Sequence, residues 1–159
     1  MKGSARIIET LNNLLADELT AIHQYMVQSE MCANWGYEKL HKAIEKQAID
    51  EMKHAEKHIA RILFLEGTPE VHRLNPIHLG TDVPSILQNN WTAEAGDAGA
   101  VRAYNAGIRV AVEVGDNGTR EMLEDILVSE EKHIDWLEAQ LELIKQVGEQ
   151  NYLAQQMRE

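Results

Sequence analysis

Two short spacings in this chain pair a carboxylate with an imidazole, Glu51-x-x-His54 and Glu130-x-x-His133. Residues three apart share a face of an α-helix, so each pair aims an oxygen and a nitrogen donor in one direction. Both pairs lie in long stretches free of Gly and Pro. Two such pairs, joined by a single glutamate from each of two other helices, form the ligand set of a di-iron carboxylate site in a four-helix bundle. Glu18 and Glu94 are the candidate single glutamates. Mixed oxygen and nitrogen donors at open positions suit iron or manganese better than structural zinc, which takes four closed ligands.

Spacing alone does not select these residues. Nineteen Glu and seven His give about one Glu-x-x-His pair by chance. The chain has three, the third being Glu38–His41. Position on the helix separates them. His41 lies one residue off the apolar stripe through Leu40 and Ile44, about 100° round the helix, which places that pair on the surface. Glu51, His54 and His58 instead interrupt the stripe Leu40, Ile44, Ile62, Leu65. Glu130 and His133 interrupt the stripe Leu123, Ile126, Leu127, Ile134, Leu137. Glu18 interrupts Ile7, Leu11, Leu14, Ile22, Tyr25. An unpaired buried charge is costly at such positions. The competing reading is a buried salt-bridge network among Glu18, Glu51, Glu130 and the two histidines. It leaves several carboxylates with two imidazoles and no Lys or Arg on the stripes, a set that repels itself without a cation.

The elements that must position these groups follow from periodicity. Helices are expected over about 4–34, 37–65, 82–114 and 119–147, with a short fifth over 149–157. Asp82 reads as an N-cap with Pro84 in the first turn. Gly96, Gly99 and Gly107 count against the third helix. The prolines Pro69, Pro76 and Pro84 cluster in the middle of the chain, where residues of about 68–81 lack any period. Fully extended, ~14 residues reach about 45 Å. That matches the length of a ~28-residue helix. The segment can therefore cross the whole bundle. The expectation is an all-α, ferritin-like four-helix bundle: two antiparallel pairs, one long crossover, and a single domain over 1–159.

Composition narrows the function. The net charge of −11 argues against nucleic-acid binding and suits cations. No apolar run is long enough to span a membrane. Met1-Lys2-Gly3-Ser4 lacks the apolar core of a signal peptide. The single cysteine, Cys32, has no partner for an internal disulfide. A cytoplasmic location is expected, with Cys32 inert.

Several strings resemble bacterioferritin: Met1-Lys2-Gly3, Leu19-Thr20-Ala21-Ile22-His23-Gln24-Tyr25, Asp50-Glu51-Met52-Lys53-His54-Ala55, Arg61 to Gly67, and Glu130-Glu131-Lys132-His133-Ile134-Asp135-Trp136-Leu137-Glu138. The resemblance covers essentially the whole chain. It implies two-fold dimers assembled into a hollow shell of twenty-four subunits, a ferroxidase centre in each bundle, and haem b between paired subunits. Carried over by position, Glu18 and Glu94 are terminal carboxylates, Glu51 and Glu130 bridge two irons, and His54 and His133 each supply a nitrogen. Met52 becomes the axial haem ligand, one thioether from each of two subunits. The implied reaction takes Fe(II) and a dioxygen or peroxide oxidant to Fe(III), stored as mineral and emptied by an electron-donor protein.

Two departures stand out. Lys46 occupies a position where the family often has a histidine, and a protonated lysine cannot ligate an extra iron beside Asp50. The interval from Glu94 to Glu130 is about one helical turn long for the family. Asp97, three residues on, is the alternative helix ligand, with Glu94 preferred. Among the remaining groups, His58 reads as a hydrogen-bonded core histidine and Tyr25 as a core tyrosine within reach of a ligand. His23, His72 and His78 read as solvated. Two other functions fit parts of this pattern. One is a non-storage di-iron peroxidase or oxidase of rubrerythrin type, which normally needs more cysteine than Cys32. The other is a non-catalytic helical assembly protein with a structural polar stripe.

Overall fold

A computed structural model describes residues 1–158. Six helical segments run in order: α1 (Ala5–Asn34), α2 (Glu38–Phe64), α3 (Val83–Ala95), α4 (Ala100–Glu113), α5 (Asn117–Val147) and α6 (Glu149–Gln156). The architecture is the expected ferritin-like bundle with a short C-terminal helix. Helices α1 and α2 form one antiparallel pair, joined by a tight turn at Trp35–Tyr37. The second pair is α5 against the α3–α4 segment.

The third helix departs from expectation. The sequence predicts one helix over 82–114, but the chain leaves the helix at Gly96 and re-enters it after Gly99. Both glycines have extended ψ near 173°. A Cβ on Gly96 would stand 2.4 Å from the Thr92 carbonyl oxygen, and one on Gly99 2.6 Å from that of Glu94. Only a residue without a side chain fits where the backbone doubles back so closely. Residues 96–99 are thereby looped out of the helix. The start of α3 follows expectation: Asp82 and Ser85 form a reciprocal capping box, with Pro84 in the first turn.

The crossover runs along α1, from its first turns towards its end. Asn12 donates to the Thr68 carbonyl at 3.1 Å and accepts from Glu70 N at 2.9 Å. Thr20 Oγ1 accepts from Asn75 N at 2.8 Å, and Gln24 Oε1 from His78 N at 3.0 Å. Gln28 donates to the Leu79 carbonyl at 3.1 Å. These four polar residues are buried because they satisfy a non-helical backbone that has no partners of its own.

Apolar packing is split in two. One cluster gathers Ile7, Leu11 and Leu15 of α1 with Ile62, Tyr104 and Leu123. The other gathers Tyr25 and Cys32 with Leu40, Ile44, Leu87 and Leu137. On every long helix the sequence passes from one cluster to the other through a polar stretch. Those stretches meet at mid-bundle.

Candidate metal centre

Glu18 of α1, Glu51 and His54 of α2, Glu94 of α3, and Glu130 and His133 of α5 converge there, none more than 9 % exposed. His54 Nδ1 lies 3.1 Å from Glu130 Oε1, 3.2 Å from Glu51 Oε2 and 3.7 Å from Glu18 Oε2. His133 Nδ1 lies 3.4 Å from Glu94 Oε1. The donors form two overlapping groups, Glu18–Glu51–His54–Glu130 and Glu51–Glu94–Glu130–His133. Within each group the ligand atoms lie within 4.8 Å of one another. Glu51 and Glu130 belong to both groups. Glu18 and Glu94 each belong to one.

All six residues singled out by spacing and stripe position are brought together. Asp97 is not: its side chain is fully exposed and pairs with Arg102 at 3.2 Å. The helix break explains the difference. Glu94 sits in the last turn of α3 and still faces the bundle, whereas Asp97 is carried out on the loop. Glu38 is exposed, as the stripe argument expects; His41 lies outside the central cluster but is half-buried rather than on the surface, its ring held on the Ser29 carbonyl.

The electrostatics describe four acids crowded without a cation. Burial, then the Glu18 charge, holds Glu51 well above the usual carboxylate range. Burial and the Glu94 charge do the same to Glu130. Burial also pushes Glu18 and Glu94 up. The close approach of polar neighbours, Glu51 and His54 to Glu18 and His133 and Glu130 to Glu94, more than reverses it, and both end lowered. The two shared carboxylates thus hold a proton more readily than the two outer ones. Several buried atoms here find no hydrogen-bond partner: both ring nitrogens of His133, Glu94 Oε2 and Glu130 Oε1. Orphaned buried lone pairs are rare and call for an explanation such as an ion. Two dications would match four carboxylates in charge and engage those atoms.

Two tyrosines brace the outer carboxylates. Tyr25 donates to Glu94 Oε1 at 2.6 Å, and its ring stands edge-on to His133. Tyr104 donates to Glu18 Oε1. Burial, then the adjacent glutamate charge, pushes both hydroxyls well above their ordinary range, so both remain donors. Tyr104 in turn lies 2.6 Å from His58 Nε2. Its one proton is committed to Glu18, so His58 Nε2–H is the donor. Burial lowers His58 to about 4, which keeps the ring neutral. Tyr104 is absent from the sequence reading, although it falls between Val101 and Ile108 at helical spacing.

The site opens in two directions. A cavity of about 580 Å³ reaches Glu18, Glu51, Glu94 and Glu130 from beside the crossover, past Asp17, Asn75 and Ala98 of the helix break. A second, of about 380 Å³, reaches Glu51, Glu130 and His133 past Lys46, Asp50 and Lys132. At that second mouth Lys46 Nζ donates to Asp50 at 2.8 Å. This ion pair occupies Asp50, and Lys46 offers no lone pair for an extra iron beside it.

Bundle topology, broken crossover pairs and shared-carboxylate geometry define a ferritin-like protein, and the ferritin-like domain model matches residues 8–147. The chain belongs to the ferritin family. Its similarity extends to proteins named bacterioferritin: that of Rhodobacter capsulatus is 40% identical over 152 residues, covering 96% of this chain and 92% of the relative. The bacterial ferritin of Synechocystis sp. is 40% identical and covers 99% of both chains. That of Neisseria meningitidis serogroup B is 38% identical and covers 99% of this chain and all of its own.

Proposed function

We propose that the protein is a ferroxidase and iron store. The observation that carries this reading is the sharing of Glu51 and Glu130 between two buried four-donor groups, each completed by one outer glutamate and one histidine. In this reading Glu51 and Glu130 bridge two Fe(II) ions, Glu18 and His54 complete one position, and Glu94 and His133 the other. Two ions so held clamp a dioxygen or peroxide oxidant, and each gives up one electron. Anionic oxygen donors stabilise Fe(III) more than Fe(II), which favours the forward reaction. Tyr25 and Tyr104 keep the outer carboxylates aimed at iron. Two cavities give iron access to the site, one past Asp17 and one past Lys46 and Asp50, and ferric product is stored as mineral inside a shell of twenty-four subunits. The names of the relatives, bacterioferritin and bacterial ferritin, support an iron store, and the acidic charge suits cations.

Haem b belongs to the same reading. Met52 is 45 % exposed and points away from the metal centre, and Ile49, three residues before it, is 42 % exposed. An exposed thioether beside an apolar neighbour fits such a group: Met52 would hold the haem, Ile49 would pack against it, and it would supply a one-electron carrier for release of stored iron.

Anaerobic Fe(II) loading followed by oxygen tests the proposal. Two Fe(II) per chain oxidise rapidly and further iron remains soluble in a particle of several hundred kilodaltons. Oxidation without a soluble iron core would instead favour a non-storage oxidase. No ferric product would leave a structural assembly protein. A visible haem band, lost in Met52→Leu with iron oxidation intact, tests the haem role.

A further inference from the structure

Among the described residues, one cluster outside the mid-bundle centre combines imidazole and carboxylates. Glu30 lies in the last turns of α1, and His41 and Glu45 lie in the first turns of α2, just across the Trp35–Tyr37 turn. One ligand atom from each of the three lies within 4.8 Å of the others. His41 and Glu45 are one turn apart on the same face. The pairing of the antiparallel helices brings Glu30 alongside.

The state of His41 can be read from its contacts. Its Nδ1 lies 2.9 Å from the Ser29 carbonyl oxygen. A carbonyl only accepts, so Nδ1 carries the hydrogen, and in the neutral ring Nε2 bears a lone pair. Fixing one ring nitrogen on a backbone carbonyl is the usual way a metal-binding histidine is aimed. Nε2 stands 3.7 Å from Glu45 Oε2, too far for a hydrogen bond. The imidazole is held, with 15 % of its side chain exposed, while the Glu45 side chain is 52 % exposed and free to adjust. Metal–donor bonds of about 2.0–2.2 Å bring neighbouring ligand atoms to roughly 3–3.5 Å. Small rotations of the two solvated glutamates close that gap.

The geometry points to a second, outer site for a divalent transition-metal cation, held by His41 Nε2 and the carboxylates of Glu30 and Glu45, with water completing the shell. One nitrogen and two oxygens suit Zn(II), Fe(II) or Co(II), and a solvated three-donor site exchanges its ion more readily than the buried centre. The site is independent of what the mid-bundle cluster does.

Zn(II) is the probe. Equilibrium binding to the full-length assembled protein gives one more ion per chain than binding to His41→Ala. Glu45→Gln, which keeps the His41–Ser29 bond, weakens that extra ion on the order of tenfold or more. Anomalous diffraction at the zinc edge from soaked crystals places a peak within about 2.2 Å of His41 Nε2. Equal stoichiometry and affinity in native protein, His41→Ala and Glu45→Gln would overturn the site, leaving a plain His41–Glu45 ion pair. A zinc peak confined to the mid-bundle cluster would do the same.

Discussion

Tyr104 of α4 donates its hydroxyl hydrogen to Glu18 of α1, across the bundle from a helix that begins only after the Gly96–Gly99 break. The contact makes the position of one outer carboxylate depend on the re-phased second half of a broken helix. His58 holds the same hydroxyl from the other side at 2.6 Å. Glu18 is thus aimed by a two-residue chain anchored on α2.

Tyr104→Phe removes the donor and leaves Glu18 buried with one fewer partner. A lost hydrogen bond to a buried charged group costs about 1–3 kcal/mol. The metal-free variant should melt several degrees below the native protein. Iron should still bind, because all six donors remain, but oxidation followed by absorbance should slow, with the number of Fe(II) oxidised per chain unchanged. A variant as fast as the native protein would show that Tyr104 serves packing alone.

Sharing of Glu51 and Glu130 gives the donors unequal weight. Glu18→Ala strips one group, whereas Glu51→Ala strips a donor from both. Titration with Co(II), read by its visible absorption, should show two tight ions per chain in the native protein and one in Glu18→Ala. In Glu51→Ala both should be weakened. If Glu51→Ala and Glu18→Ala lose the same single ion, the carboxylates are not shared.

The helix break rests on close backbone contact. Gly96→Ala puts a methyl 2.4 Å from the Thr92 carbonyl and Gly99→Ala one 2.6 Å from that of Glu94. Neither oxygen is a flexible side-chain end, so the loop must shift. A cost of about 1–3 kcal/mol is expected for each, as for other overpacked sites. Gly107→Ala meets only side-chain carbons at 3.2 Å or more, from Leu14, Leu123 and Thr10, and should cost less. Thermal melts of the three variants rank them. Gly107→Ala melting lowest would contradict this account.

The bundle and the burial of the central side chains were legible because Glu18, Glu51, His54, Glu130 and His133 interrupt apolar stripes, and a stripe is a statement about burial. The reach of residues 68–81 likewise indicated a crossover. Its anchors were not legible: Asn12, Thr20, Gln24 and Gln28 are buried by contact with an irregular strand, which leaves no period in the sequence. The break at Gly96–Gly99 was visible only as a cost against helix. Propensity does not say whether a glycine is tolerated within a helix or ends it. Tyr104 keeps helical spacing with Val101 and Ile108, but a tyrosine at such a position reads as ordinary core, so its hold on Glu18 was not legible.

The last prediction concerns protons. Glu51 and Glu130 have folded pKa values raised above the unfolded carboxylate value of about 4.3. The stability they contribute is complete below that value and is lost as pH rises through the folded values. Glu18 and Glu94 are lowered, so their contribution is present above the unfolded value and lost as pH falls. In the metal-free protein the shared carboxylates therefore hold their protons to higher pH than ordinary carboxylates, and a dication must displace them. Adding Co(II) without oxygen to a weakly buffered solution should release protons, and fewer should appear in Glu51→Gln. The rise in melting temperature caused by Co(II) should grow as pH increases from about 5 to 7, because binding competes with those protons. Binding without proton release, or a thermal shift that shrinks over that range, would mean that the shared carboxylates are already ionised before the metal arrives.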